Sequence, residues 1–286
     1  MRAVAKQLRN ANARRRSAVR HFFLICIGFV LMYPLLWMVS SSFKKQDEIF
    51  SSTSLVPEAP TLDNYIQGWT ATGMPFGWHI AITLLICSLT IIGNCLSCSL
   101  TAYAFGRLRF RGRQVLFAVM LVTIMLPQHV TLIAQYAMFR ALGWVDTILP
   151  LVVPKFFAVE AFFIFLMVQF IRSIPIELDE AARIDGCGDF AIYWRIIMPL
   201  LTPAMVTTAI FSFIWAYNDF FSQLIYLSSL DRLTVPLALR RFLDAAGHSD
   251  WGAMFAMSIL SIIPVLIVFV LFQRRIVEGM ATTGLK

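Results

Sequence analysis

Polar side chains inside apolar runs are costly to place in a membrane and tend to face a cavity or a partner, so they mark where chemistry is done. Tyr217, Asn218 and Asp219 stand late in one apolar run, Gln128 follows Pro127 in another, and Glu160 and Asn94 lie within two more. Amides, carboxylates and aromatic faces are suited to a solute rich in hydroxyl groups. The same groups also serve as hydrogen-bond partners between helices, and Asp219 also fits a water interface. Catalysis has no comparable constellation. The four histidines, His21, His79, His129 and His248, are scattered without ligand spacing and read as packing or interfacial residues. No G-x-x-x-x-G-K-[ST] occurs, so ATP phosphates are not cradled here in the usual way, and any ATP that drives the process binds another polypeptide. Among five cysteines, Cys95 and Cys98 form a C-x-x-C without neighbouring ligands, which reads as small apolar packing.

A second constellation is a charged insert, Ile176 to Pro199, between long apolar runs. Pro175 suits the start of a helix and Gly186 its stop. Glu177, Asp179 and Glu180 lie near the positive end of the helix dipole and Arg183 near the negative end, with Asp179 and Arg183 spaced i,i+4. The pattern predicts a helix of about eleven residues, roughly 16 Å long, outside the bilayer. A short exposed helix between membrane spans is a handle for something outside the membrane, although a solvated connector has the same local pattern.

The elements that must position these groups follow from composition. The 286 residues are 59% hydrophobic and 14% charged, with mean hydropathy +0.74. A soluble domain is nearer a quarter charged. The 20-residue criterion for spanning helices places six spans, near 22–43, 79–106, 115–139, 149–172, 196–222 and 252–273. The fold class is therefore all-α integral membrane. The first run is too long for a signal-peptide core and lacks a suitable cleavage site. Net charge is +8, and it is concentrated. Seven basic residues from Arg2 to Arg20 precede the first span, and Arg107, Arg109, Arg111 and Arg113 follow the second. The connection between the fourth and fifth spans carries Arg172, Arg183 and Arg195, and Arg274, Arg275 and Lys286 follow the last span. All four groups fall on one side of a six-span layout. The positive-inside rule makes that side cytoplasmic, with both termini and the insert on it. The chain divides into a basic N-terminal segment 1–21, a permease domain 22–275 with the insert at 173–195, and a tail 276–286. The outer loop 44–78 is irregular with one short helix near Asp63 to Trp69, and the outer loop 223–251 has helical character from Leu237 to Ala246.

Glu180-Ala181-Ala182, Asp185-Gly186, Phe190 and Ile197 to Pro199 resemble, as an ordered set, the Glu-Ala-Ala loop of bacterial ABC importer permeases. Ala102-Tyr103-Ala104-Phe105, Met125-Leu126-Pro127-Gln128, Leu142-Gly143-Trp144-Val145-Asp146-Thr147, Tyr217-Asn218-Asp219-Phe220 and Gln273-Arg274-Arg275 resemble the carbohydrate-uptake group. The likeness is nearest to its maltose-type and glycerol-phosphate-type second permease and covers nearly the whole chain. Tyr217 stands where that group commonly has Trp, and Ala134 replaces the usual Pro before Gln135.

The resemblance implies a permease without an ATP site of its own. Its partners would be a second permease, two ATP-binding subunits that use ATP and Mg, and an extracytoplasmic solute-binding protein, all in a bacterial inner membrane. It implies that Glu180, Ala181, Ala182, Arg183, Asp185 and Gly186 form the ATPase-coupling surface, with Glu180, Ala181 and Ala182 in closest contact. Gln128, Tyr217, Asn218 and Asp219 are candidates for the solute path, and Arg240 and Arg241 for contact with the binding protein. An ion-gradient-driven secondary transporter and a non-transporting scaffold or receptor are the alternatives. The first calls for inverted repeats or paired broken helices, which the sequence does not display.

Overall fold

The computed structural model describes residues 2–243 and 249–283, with the side chains of 17, 19–127, 130–243 and 249–273. All regular elements among the described residues are helical. Contacts divide the chain into two compact units, residues 1–68 with 242–260, and 69–241 with 261–286.

In the first unit, helix α1 (Arg2–Ser41) carries an apolar stretch, Val19–Ser41, none of whose most apolar window is buried. A helix that is apolar all round and uncovered belongs in lipid. Beyond it the chain turns on polar contacts. Lys44 is fully buried, and its Nζ donates to the Ser54 carbonyl at 2.6 Å and the Ser52 carbonyl at 3.3 Å. A buried ammonium needs such partners. The helix Asp63–Thr70 forms where the sequence predicts one. Asn64 Nδ2 donates to the carbonyls of Ser42 and Lys44, and Trp37 meets Phe255 edge-on at 5.3 Å.

The second unit is built around α2 (Phe76–Arg107), a 32-residue helix without a break. After it come α3 (Arg113–Thr123) and α4 (Gln128–Ala141). The single span expected over 115–139 is therefore corrected to two helices. Pro127, with φ −61° and ψ 124°, begins α4 from an extended conformation. It has no N–H to continue a helix and forces the preceding residue out of helical geometry. The fourth run is also interrupted. A helical turn (Leu149–Val152) and a 3₁₀ turn (Val153–Phe157) precede α5 (Ala161–Ser173), with Ala158 left-handed at φ 55° between them. The charged insert contains α6 (Glu177–Ile184). The fifth run bends by 74° where Asp189–Leu200 meets α7 (Thr202–Asn218), around Pro199 and Pro203. The last described helix is α8 (Trp251–Thr283). Among the described residues four helical runs are long and apolar enough to cross a membrane, or five with the bent pair as one.

The core of this unit joins α2, α5 and the segment after α6. Cys98, Ala102 and Tyr103 pack with Phe163, Met167 and Ile171, and with Ile192, Tyr193 and Ile197. Gly93 allows the 3₁₀ turn to lie against α2: a Cβ there would stand 2.9 Å from Phe156 Cδ2 and 3.0 Å from the Lys155 carbonyl carbon.

Candidate functional site

Two regions of the second unit collect the polar chemistry. The first is the charged insert. α6 has eight residues rather than about eleven, beginning at Glu177 and ending at Ile184, and its last turn closes on glycine. Cys187 N–H donates to the Ala182 carbonyl at 2.9 Å and Gly186 N–H to the Arg183 carbonyl at 3.0 Å, with Gly186 at φ 82°. That pair of bonds is the Schellman stop, and its left-handed position favours glycine.

One face of α6 looks into the protein. Asp179 is fully buried and Ala182 is 6% exposed. The placement corrects the expectation that Ala182 joins Glu180 and Ala181 in an outward contact. Glu180, Ala181, Arg183, Asp185 and Gly186 are exposed. Ile184 is 87% and Phe190 72% exposed, an apolar addition to that outer face. The i,i+4 pair of Asp179 with Arg183 does not form. Arg183 reaches Asp189 at 3.1 Å, and Asp179 reaches Arg107 of α2 at 3.3 Å. Burial raises the Asp179 carboxyl above its ordinary range, against the opposing pull of Arg107.

The second region is a pair of adjoining cavities of about 450 and 570 Å³ that share Leu151, Lys155, Glu160 and Asp219. The smaller is lined by Thr90 and Asn94 from α2, by Ser212, Trp215 and Asn218 from α7, and by Gln223. Trp144, Phe139, Gln135 and Tyr226 line the larger. Lys155 Nζ donates to Glu160 Oε1 at 2.5 Å across the break in the fourth run. Asn94 Nδ2 donates to Ser212 Oγ at 2.9 Å, while Asn94 Oδ1 is buried with no protein partner. Asp219 Oδ1 accepts the Ser222 N–H at 3.1 Å, which ends α7 in a turn. Amides, hydroxyls and carboxylates thus stand beside indole and phenol faces, which is chemistry for a polyhydroxylated solute.

Of the residues singled out for a solute path, the structure brings Asn218 and Asp219 to the cavity, together with Asn94 and Glu160. Tyr217 is turned away. It is buried, and its hydroxyl donates to the Ser261 carbonyl at 2.6 Å. Gln128 begins α4, and its side chain lies outside the described residues. Lys155, Ser212, Trp215 and Gln223 were not foreseen. Lys155 had a readable signal, a cation in an apolar run five residues before a carboxylate.

The segment Leu142 to Thr147 has a positioning task. Asp146, left-handed at φ 61°, takes the Ser228 and Ser229 N–H groups at 2.9 Å each and the Ser229 hydroxyl. Its own N–H donates to the Tyr226 carbonyl at 2.7 Å. Burial works to raise the Asp146 carboxyl, but the bonds from Ser229 and Ser228 hold it well below the usual carboxylate range. The knot fixes Trp144 and Tyr226, both walls of the larger cavity. His79 is likewise structural, bonded to Thr72 Oγ1 at 2.9 Å and the Leu233 carbonyl at 2.8 Å. The helix expected from Leu237 to Ala246 is found at Val235–Arg240, with Arg240 and Arg241 exposed at its end, and residues 244–248 lie outside the described residues. Among the described residues no cluster of three or more His, Cys, Asp or Glu is placed to hold a metal.

Residues 98–282 match the family model described as binding-protein-dependent transport system inner membrane component. The trehalose/maltose transport system permease protein MalG of Thermococcus litoralis is 32% identical over 95% of this chain and 99% of its own. The arabinooligosaccharides transport system permease protein AraQ of Halalkalibacterium halodurans is 31% identical over 91% of this chain and 93% of its own. Among solved structures, a chain of a bacterial ABC transporter involved in the import of the acidic polysaccharide alginate superposes with TM-score 0.79, covering 91% of this chain and 96% of that one. At 23% identity that likeness is one of fold.

Proposed function

The chain belongs to the family of binding-protein-dependent transport system inner membrane components, and from that premise we propose that it is the permease subunit of an ATP-driven importer for a carbohydrate or related polyol or glycoside. The observation that carries the reading is α6. It is a short helix closed by Gly186, with its inner face fastened into the permease and Glu180, Ala181, Ile184 and Phe190 turned outward. A helix held on one side and bare on the other is built to sit in a partner. We assign that partner as the ATP-binding subunit, two copies of which use ATP and Mg. The similarity to permeases named for trehalose, maltose and arabinooligosaccharide transport and the amide- and indole-lined cavities support the carbohydrate class.

The remaining organisation follows as part of the proposal. The chain crosses a bacterial inner membrane six times, the interrupted runs each counting as one crossing. Both termini and α6 are cytoplasmic, and the chain works beside a second permease. Solute from an external binding protein enters the cavity near Asn218 and Asp219 in an outward-open state. It leaves inward after hydrolysis, as rigid groups of helices alternate between two arrangements. The exposed Arg240 and Arg241 on the loop after α7 are assigned to the binding protein.

The test is reconstitution. The complex, purified through a tag on this chain with the products of its neighbouring genes, is placed in proteoliposomes and offered radiolabelled di- and oligosaccharides with loaded binding protein. The proposal expects uptake that requires ATP on the α6 side. Uptake driven by an ion gradient without ATP would identify a secondary transporter. No flux and no co-purifying ATPase would identify a scaffold.

A further inference from the structure

We propose that Arg107 and Asp179 are positioning residues that fasten α6 to α2, so that the docking helix and one wall of the cavity move as a single body. The proposal rests on the importer reading and names the residues through which the ATPase acts on the cavity.

Four contacts tie the insert to α2. Arg107 Nε lies 3.3 Å from Asp179 Oδ2, with the two side chains 5% and 0% exposed. The same guanidinium donates to the Ile174 carbonyl at 2.6 Å, at the entrance to the insert. At its exit, Tyr193 Oη bonds Ser99 Oγ at 2.8 Å, and the Tyr193 ring lies 5.4 Å from that of Tyr103. Entrance, helix and exit are thus all held to one element.

That element is suited to carry motion. α2 runs unbroken from Phe76 to Arg107 and presents Ile86, Thr90 and Asn94 to the cavity. Asn94 is about 20 Å from Arg107 along the axis at 1.5 Å per residue. The fourth run, by contrast, is interrupted at Ala158, and the fifth is bent by 74° before α7. Displacement sent along either would be absorbed at its break. The ion pair is also poorly explained as a source of stability. Apolar side chains of similar volume commonly do as well as a buried ion pair, whose best attested use is to fix one arrangement. Arg107 Nε and both Asp179 oxygens are buried without a hydrogen bond of good geometry, so what joins the two side chains is the attraction of opposite charges at 3.3 Å.

The experiment uses the assembled complex in lipid nanodiscs, with the five cysteines of this chain and those of its partner subunits replaced and one reporter, Ala216→Cys, in the cavity wall. An impermeant maleimide reads the labelling rate without nucleotide and after trapping with ATP, Mg and vanadate. The parent complex is expected to label at different rates in the two states. Arg107→Lys and Asp179→Asn, which nearly keep side-chain volume, are expected to retain ATP hydrolysis while the difference shrinks by about fivefold or more, the lower end of ordinary coupling between sites. The exchanged pair Arg107→Asp with Asp179→Arg is expected to restore part of it, which a merely space-filling role would not do. If assembled, hydrolysing single variants keep the parent ratio, the linkage is wrong. If the exchanged pair assembles without regaining the response, the linkage is wrong as well. A parent complex whose reporter never responds to ATP removes the importer reading itself, and the linkage falls with it.

Discussion

Replacing Gly186 gives the cleanest test of the docking helix, because its cost can be assigned to one cause. A Cβ built on Gly186 meets nothing within 4 Å, so a side chain there clashes with no neighbour. The whole penalty comes from φ 82°. An L-residue held there costs about 1–3 kcal/mol, most for a β-branched side chain. A cost of that size lowers the population of the closed helix end about 5- to 150-fold. Membrane insertion is expected to be normal, since the residue lies outside the apolar runs. Binding of the ATPase subunit, measured by titration against the purified permease pair, is expected to weaken in the order Asn, Ala, Val at position 186. Asn tolerates the left-handed region best of the three. Gly188 supplies the control. Its φ is −76° and it too has open space around its Cβ, so Gly188→Ala should change little. Equal binding by Gly186→Val and the parent would refute the role assigned to this helix end.

Three further outcomes are expected. Cys187 should react with an impermeant thiol reagent only from the cytoplasmic side, and less so when the ATPase is docked; labelling from outside intact cells would overturn the orientation. The Asp146 carboxyl is depressed in the folded state, so its stabilisation is complete above the unfolded value near ~4 and is lost as pH falls through the lower folded value. Thermal melting below about pH 5 should therefore be steeper for the parent than for Asp146→Asn, and identical slopes would dismiss the knot. Glu160→Gln or Lys155→Met alone leaves one charge of the 2.5 Å pair uncompensated. Each is expected to lower melting temperature and uptake, and the double variant should recover stability with a coupling of about 0.5–3 kcal/mol; strict additivity would mean the pair is not coupled.

What could be read from the sequence was whatever depends on near neighbours. The stop at Gly186, the helix at Asp63–Thr70 and the apolar runs of α1, α2 and α8 are local, and they appear where local rules put them. The misreadings involve partners distant in the chain. Asp179 has Arg183 four residues away, but it points inward and meets Arg107, 72 positions earlier. Ala182 and Ala181 are identical in type, and only the tertiary fold places Ala182 in the core cluster that also holds Ile192 and Tyr193. Tyr217 shares a motif with Asn218 and Asp219, yet on a helix successive residues point about 100° apart. It therefore faces Ser261 while Asn218 faces the cavity, and Asp219, extended just past the helix end, lines it too. Pro127 breaks the third run, and the sequence does not show how long a stretch of backbone it takes out of the helix.

The two-faced character of α6 has a consequence for engineering. Asp179 and Ala182 belong to the permease interior, while Glu177, Glu180, Ala181 and Ile184 are free of it. If the ATPase docks on α6 as proposed, its recognition is written on a strip that can be rewritten without touching the scaffold. Grafting those outward letters from another permease, with Asp179, Ala182 and Gly186 kept, should redirect this chain to a foreign motor. Transplanting the whole loop would import an inward face matched to a different interior.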